Sequence, residues 1–199
     1  MSEARTVRRA SMAGPVTRQF SRSDYYLMAE TGVLAPDERT ELIDGRIFVL
    51  EPIGPWHATT VSLLVGAFAP IYERAAPWTQ NPVVLGERSE PQPDFALVRP
   101  PLARYRDGHP TPSDVLLVVE VADTSRDHDR DRKQPLYAGA GIRESWVVDR
   151  QGDRIEVARD PGPDGYRTVR TLGRGEELTV LAVPGFTVPV EKILGPGGG

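Results

Sequence analysis

The sequence predicts an α/β (α+β) fold in which helices flank a mixed β-sheet, and three observations favour it. The apolar run from Val115 to Val121 consists almost entirely of branched aliphatic residues, which is typical of a strand buried on both faces. An Asp-Gly pair at Asp44 and Gly45 lies between two apolar runs and indicates a tight hairpin. Around these two features, the predicted elements follow the order hairpin, helix, strands, helix and strands.

The first half of the chain begins with a short predicted helix over residues 25–30, capped at Ser23-Asp24 and ended near Gly32. The hairpin follows over residues 39–50. Apolar residues at helical spacing then predict a long amphipathic helix over residues 57–74. The other elements expected in this half are short strands over 82–85 and 95–98 and an irregular loop over 100–113.

A second helix is predicted directly after the central strand. Asp131 and Gln134 have the spacing of a capping box, so this helix is expected to begin at Asp131 with Pro135 in its first turn. It should end at Gly139 or Gly141. The strands expected after it cover residues 144–149, 154–158, 166–171, 178–183 and 186–190.

The composition is ordinary for a soluble protein, with 39% hydrophobic and 26% charged residues among 199. We expect a single domain over residues 23–194, a flexible Arg-rich arm over 1–22 and a flexible Gly-rich tail over 195–199. The absence of cysteine excludes disulfides and zinc sites with cysteine ligands. No apolar run approaches the roughly 20 residues of a membrane helix, and no signal-peptide pattern follows the first arginines, so a cytoplasmic location is expected.

The charge balance argues against a generally basic nucleic-acid-binding surface, since the net charge is −4. A nuclease remains compatible with it, because acids at an active site lower the total while basic residues elsewhere contact phosphate. The basic residues are 22 Arg and only 2 Lys. A chain that uses Arg almost everywhere and Lys at position 133 is consistent with a need for a compact amine there, although chance placement explains it equally well.

Three acids and one amine form the candidate site. Glu120 lies inside the apolar strand, where an isolated carboxylate would cost several kcal/mol unless it is neutralised, paired or bound to a cation. Asp94 directly precedes the apolar run at 95–98, Lys133 lies on the next predicted helix, and Glu41 on the hairpin is a possible third acid. Converging carboxylates bind Mg²⁺ through oxygen, and a nearby amine can orient or deprotonate an attacking water.

Each of these residues also has an ordinary structural interpretation. Glu120 could pair with a structural arginine, Asp94 could cap a turn, and Lys133 could be a solvated surface lysine. Exposed Glu residues such as Glu41 are common on hairpins, and a histidine such as His57 often begins a helix as a polar residue. The charged run at 127–129 is better interpreted as a solvated surface than as a metal cluster.

The residues resemble a known family. Pro93-Asp94, followed by Glu120-Val121-Ala122, resembles the PD-(D/E)-x-K signature of restriction-endonuclease-like nucleases. Over roughly residues 23–194, the chain is similar to the Uma-type family of putative restriction endonucleases. The segments that carry this resemblance are Glu41–Gly45, Pro93–Val98, Val118–Ser125, Lys133–Tyr137, Ala140–Asp149 and Leu181–Val190.

The resemblance implies a restriction-endonuclease-like core and a metal-dependent endonuclease that acts on DNA, with RNA left open as a substrate. It implies that Asp94 and Glu120, together with Glu41, hold Mg²⁺ (or Mn²⁺). Ala122 stands where the signature has lysine, so the amine that assists the attacking water would be Lys133 from the following helix. The supporting residues expected around the site are His57 and Tyr137, and a homodimer is possible, as in many enzymes that cut duplexes.

Two other functions fit the same residues. A catalytically inactive descendant of the fold would bind nucleic acid or a protein partner. A structural or regulatory domain would use the acids and Lys133 only as a buried ion-pair network. The interpretations differ in one geometric requirement, because the nuclease needs Asp94, Glu120 and Lys133 to meet in one pocket.

Overall fold

A mixed sheet of six strands forms the centre of the protein. The computed structural model describes residues 17–122 and 127–196, and the side chains of residues 127–131 lie outside this description. The strands are β1 Thr40–Ile43, β2 Arg46–Val49, β3 Ala76–Thr79, β4 Phe95–Val98, β5 Val115–Ala122, β6 Glu144–Asp149, β7 Arg154–Gly162, β8 Gly165–Gly173, β9 Glu177–Thr179 and β10 Thr187–Pro189. The α-helices are α1 Arg22–Glu30, α2 Pro55–Phe68, α3 Asp127–Gly139 and α4 Val190–Leu194, with short 3₁₀ helices at Ala69–Ile71 and Leu102–Tyr105.

The central sheet has the strand order β3-β4-β5-β6-β7-β8. Strands β5 and β6 pair in parallel, and the other neighbours in the sheet pair antiparallel. Because parallel neighbours need a crossover connection, α3 links the two strands across one face of the sheet. The hairpin β1-β2 and the pair β9-β10 form two separate two-stranded sheets.

Strand β5 is buried on both faces, as its apolar run predicts. Its alternate residues enter two different apolar clusters, since successive side chains of a strand point to opposite faces. Leu117 and Val119 pack with Phe68 of α2 in the larger cluster, which also includes residues of α4. Val118 packs with Tyr137 of α3 in the smaller cluster. The mixed sheet flanked by helices is therefore confirmed.

The hairpin is confirmed as predicted, with Asp44 and Gly45 both at positive φ in its turn. The predicted cap of α1 is wrong. Ser21, rather than Ser23, caps the helix, and the Asp24 side chain accepts a hydrogen bond from the Ser21 backbone N–H at 2.9 Å. Ser21 and Asp24 stand three residues apart, which is the spacing that a reciprocal capping box requires.

The strand predicted over residues 82–85 is wrong. Val83 N–H donates to Pro91 O at 2.9 Å and Leu85 N–H donates to Ser89 O at 3.0 Å, so the segment folds back on itself instead of joining the sheet. Strand β3, at residues 76–79, occupies the edge of the sheet in its place. An edge position tolerates Pro77, which lacks an N–H to donate to a second neighbour.

The start predicted for the second helix is also wrong, because α3 begins at Asp127 and places Pro135 in its interior. Pro135 is exposed. The predicted end at Gly139 is confirmed. Near the C-terminus, the strands expected over 178–183 and 186–190 are shortened to β9 and β10, and the last residues of the domain form α4.

Parts of the predicted arm and tail, residues 1–16 and 197–199, lie outside the described residues. Within the described part of the arm, the Phe20 N–H donates to Gly45 O at 2.8 Å. Across residues 17–122 and 127–196, no helix combines the length and the apolar character needed to cross a membrane.

Candidate active site

The register of β4 and β5 brings Asp94 and Glu120 together. Phe95 pairs with Val119 across these antiparallel strands, so the residue before Phe95 lies opposite the residue after Val119. Directly opposed residues of an antiparallel pair share one face of the sheet. The Val121 N–H fixes the aspartate by donating to Asp94 Oδ2 at 2.8 Å. Both acids therefore lie at the same end of two neighbouring strands.

Helix α3 supplies the amine and a phenol to the same point. Lys133 and Tyr137 stand four residues apart, and residues at this spacing share one helix face. Lys133 Nζ lies 3.5 Å from Glu120 Oε1, and the Tyr137 hydroxyl donates to the same oxygen at 2.5 Å. Lys133 is only 5% exposed, so it is not a solvated surface lysine.

Glu41 approaches the pocket from the hairpin and is 1% exposed. Its Oε2 lies 3.0 Å from Lys133 Nζ, and it accepts a hydrogen bond of 3.0 Å from the Gln92 N–H. The Gln92 side chain in turn donates to Thr40 O at 2.8 Å, next to Glu41 on β1. Sequence reasoning missed Gln92, although Pro91 and Pro93 on either side of it signal the extended backbone that aligns it with β1.

His57 reaches the pocket from the first turn of α2, on the other side of Asp94. Its Nε2 lies 2.9 Å from Asp94 Oδ1, and the residue is 7% exposed. Its Nδ1 is buried and has no hydrogen-bond partner in the part of the chain that the structure describes. All six predicted residues are thus accounted for at one end of the sheet. Glu41 and Glu120 contact Lys133, Tyr137 donates to Glu120, and His57 contacts Asp94.

The pocket contains three carboxylates and one lysine ammonium. The pKa of Glu120 is raised to about 8, chiefly by burial and also by the charge of Asp94, against the opposing attraction of Lys133. Burial alone would lower the pKa of Lys133, but the carboxylates of Glu120, Glu41 and Asp94 outweigh it, so this pKa is raised. The carboxylates therefore outnumber the lysine ammonium. At neutral pH and without another cation, Glu120 favours its protonated form.

This donor set can be tested against a divalent metal ion. Among the described residues, no three His, Asp or Glu side chains stand close enough together to enclose an ion by themselves. Mg²⁺ usually takes one or two carboxylates, and waters and substrate phosphate oxygens complete its shell. Asp94 and Glu120, two oxygen donors in a pocket with excess negative charge, fit that requirement.

Glu41 is held much as the other two acids are, because its Oε2 contacts Lys133 Nζ and accepts from the Gln92 N–H. Glu120 Oε1 likewise has Lys133 and Tyr137 as partners. The side chains of residues 127–129, the alternative charged run, lie outside the described residues. The arrangement brings together two carboxylates, an ammonium group and a histidine at one end of the sheet. Such a set can bind a cation and stabilise negative charge that develops on a phosphate.

Comparisons with known proteins agree with this fold. A family model described as "Uma2: Putative restriction endonuclease" matches residues 22–191. A solved structure, described as a putative nuclease belonging to DUF820 from Anabaena variabilis ATCC 29413, superposes with a TM-score of 0.62 at 12% identity, covering 88% of this chain and 97% of that one. At this identity the superposition establishes the fold alone. No curated protein sequence matches the chain significantly.

Proposed function

The chain belongs to the Uma2 family of putative restriction endonucleases, and from that membership we propose that it is a divalent-metal-dependent endonuclease that hydrolyses phosphodiester bonds of DNA. Restriction-endonuclease-like families generally use divalent metals, and the choice of Mg²⁺ (or Mn²⁺) rests on the oxygen donors of the pocket. Asp94 and Glu120 would hold the ion, with Glu41 in contact directly or through a water.

One observation carries the proposal. Lys133 and Tyr137 both reach Glu120 Oε1, on the strand next to Asp94, although the three segments are distant in sequence. A pocket with only a structural purpose would balance its buried charges, since a buried unpaired charge is costly. Here three carboxylates lie near one lysine ammonium, and the charges of Asp94 and Glu41 add to the effect of burial, which is the main cause of the raised pKa of Glu120. An added cation would offset the excess of negative charge.

A bound divalent ion would supply a water of lowered pKa and would neutralise charge on the phosphate. The protein's own groups would do the rest. Asp94, held by the Val121 N–H, and Glu120, held by the Tyr137 hydroxyl, present their oxygens in fixed directions. His57 restrains the second oxygen of Asp94.

Lys133 would act as a cation rather than as a base. Its pKa is raised by the surrounding carboxylates, so the amine keeps its proton at neutral pH. As an ammonium group it can donate hydrogen bonds to the attacking water and to the phosphate oxygen on which charge develops. Glu41 would position this ammonium group by accepting from it at 3.0 Å.

A catalytically inactive protein with the same fold, binding nucleic acid or a protein partner, is the alternative. The observation that favours it is that both oxygens of Asp94 already have protein partners. A carboxylate oxygen has two lone pairs, however, so these contacts leave room for a further ligand.

The test is a plasmid-nicking assay with Mg²⁺ or Mn²⁺. The wild-type protein should convert supercoiled plasmid to the open circle, and chelation of the metal should stop it. Lys133→Ala should abolish nicking, whereas Lys192→Ala, at the exposed second lysine of the chain, should leave it unchanged. Nicking by wild type and Lys133→Ala at equal rates would contradict the role proposed for Lys133, and no nicking by either would argue for the inactive alternative.

Two further features stay predictions from the sequence. One is a location in the cytoplasm, and the other is a homodimer in which two sites would cut the two strands of a duplex. Size-exclusion chromatography with light scattering measures the second directly, since a dimer would have twice the chain mass of 21.9 kDa.

A further inference from the structure

An arginine-lined cleft adjoins the candidate active site. It has a volume of about 490 Å³ and lies between the hairpin and α3. Its lining consists of Gln19, Ile43, Asp44, Arg46, Phe48, Arg88 and Arg132. Three arginines and one aspartate give this wall a charge of +2 in a chain whose net charge is −4. The cleft is therefore positively charged although the chain as a whole is negatively charged.

The three arginines are available to a ligand. Arg46 and Arg88 are exposed, and Arg132 is partly exposed. Within the described residues, none of the three forms a salt bridge with a carboxylate, in contrast to Arg154, Arg159 and Arg174 elsewhere on the surface. Among the described residues, the only hydrogen bond made by their side chains runs from Arg88 Nη1 to the neutral amide oxygen of Gln19 at 2.5 Å.

One of these arginines is held in place by an aromatic ring. The guanidinium carbon of Arg132 lies 4.3 Å from the centre of the Phe48 ring. Stacking on an aromatic face leaves the N–H groups at the edge of the guanidinium free, and that edge binds phosphate oxygens in pairs. Arg46 stands two residues from Phe48 on β2, so both side chains leave the strand on the same face.

Two residues that line the cleft are direct neighbours of candidate catalytic residues. Arg132 precedes Lys133 on α3, and Phe48 pairs with Glu41 across the hairpin. A second cleft of about 410 Å³ shares Asp44, Arg88 and Arg132 with the first and extends it along the later part of α3. Together the two clefts cover a larger surface than a single phosphate group would need.

We propose that this cleft binds the phosphate backbone of DNA beside the scissile bond, with Arg46, Arg88 and Arg132 each contacting a phosphate. The inference rests on the nuclease function proposed above and assigns the surface along which its substrate lies. Arginine side chains fit phosphate better than a compact ammonium group does, because their planar fork can bind two oxygens at once. Such contacts set affinity and position and carry no sequence preference.

Salt-dependent DNA binding tests the cleft independently of cleavage. Fluorescence anisotropy of a labelled duplex, measured in EDTA so that no metal-dependent cleavage occurs, gives the dissociation constant over a series of salt concentrations. We expect the double variant R46A/R88A to bind at least tenfold more weakly. The slope of log K against log salt should become less steep by roughly 0.9 for each phosphate that the variant no longer neutralises. The matched control is R167A/R170A, at two exposed arginines of β8, and it should bind as the wild type does.

The outcomes separate the two proposals. If R46A/R88A keeps the affinity and slope of the wild type, or if the control is weakened as much as R46A/R88A, the cleft is not the binding surface, whatever the nicking assay gives. If the wild type binds DNA through the cleft but never nicks it, the nuclease proposal fails while the assignment of the cleft stands. All the substituted arginines are exposed, so melting temperatures should match and confirm that each variant is folded.

Discussion

Lys133 Nζ lies 3.0 Å from Glu41 Oε2, which joins the helix after the central strand to the N-terminal hairpin. Lys133 also lies 3.5 Å from Glu120 Oε1 and 3.5 Å from Gln92 O, so one ammonium group connects three segments of the chain. Because Lys133 lies nearer to Glu41 than to Glu120, we propose a division of roles in which Glu41 contacts the ion at most through a water. Glu41 would hold the amine, and the other two acids would hold the cation.

Substitution of Glu41 tests this division of roles. Glu41→Gln keeps the shape of the side chain and its hydrogen bond from the Gln92 N–H but removes the charge that faces Lys133. We expect nicking to fall by about tenfold or more, as for the loss of an oriented electrostatic group, while binding of Mn²⁺ is largely retained. The test is to measure nicking and Mn²⁺ binding in parallel for Glu41→Gln and the wild type. Loss of Mn²⁺ binding as complete as in an Asp94 variant would make Glu41 a metal ligand instead.

The pKa of Glu120 predicts how stability depends on pH. The ordinary pKa of a glutamate is 4.5, and burial raises that of Glu120 to about 8. Between these values the folded state binds more protons than the unfolded state, so the contribution of Glu120 to stability is present at low pH and is lost as the pH rises through 8. Without metal, the melting temperature of the wild type should fall between pH 5 and pH 9 relative to that of Glu120→Gln.

Bound metal should stabilise the protein more strongly as the pH rises over the same interval. The ion binds the ionised carboxylate, so the rise in melting temperature caused by Mg²⁺ should grow as the pH increases from 6 to 9. Glu177→Gln, at an exposed acid of β9, serves as the control and should follow the wild type. If the difference in melting temperature between wild type and Glu120→Gln without metal does not change with pH, Glu120 is ionised in the folded protein throughout this range.

Tyr137→Phe should move the pH profile of nicking upwards. The hydroxyl of Tyr137 donates to Glu120 Oε1 at 2.5 Å and thereby lowers the pKa of that carboxyl group. Without it, Glu120 should keep its proton to a higher pH, and the acidic limb of the profile should shift to higher pH. At pH 9, where Glu120 is ionised, removing this hydrogen bond to a charged group should also lower the free energy of unfolding by about 1.5–3 kcal/mol, measured by urea denaturation. An unchanged profile would mean that Tyr137 only fills space.

A second buried acid provides a contrast. Glu144 is fully buried, and its Oε1 accepts from Arg159 Nη2 at 2.6 Å while its Oε2 accepts from the Leu181 N–H at 2.8 Å. Arg159→Met would leave this carboxylate without its cation and should lower the free energy of unfolding by about 3 kcal/mol, the lower end for a buried pair because Arg159 is partly exposed. Nicking at temperatures below unfolding should not change. A specific loss of activity would place Arg159 in the site.

Sequence patterns predicted the parts of the fold that depend on local periodicity or turn chemistry. Burial of the run from Val115 to Val121 and the turn at Asp44-Gly45 are examples, since each signal lies within a few residues. Strand β3 was missed because Pro77 reads as a strand breaker until its edge position is known. The start of α3 at Asp127 was missed because the capping-box spacing of Asp131 and Gln134 favours a later start.

The membership of the candidate site was predictable, and its contacts were not. A carboxylate within an apolar strand identifies Glu120 from chemistry alone, because such a group needs a partner. Which partner it has depends on how α3 packs across the sheet, a long-range relationship that leaves no mark near Glu120 in the sequence. Gln92 was missed for the same reason, since its contribution to the pocket is a backbone N–H.

The most direct measurement of the central claim is a titration with Mn²⁺, in which the free ion is followed by electron paramagnetic resonance at pH 8. The wild-type protein should bind Mn²⁺, and Asp94→Asn and Glu120→Gln should each lose that binding, because each removes one of the two carboxylates that would hold the ion. Asp114→Asn, at an acid paired with Arg104 away from the pocket, should bind as the wild type does. Equal binding by all four proteins, or none by the wild type, would contradict a metal site between Asp94 and Glu120.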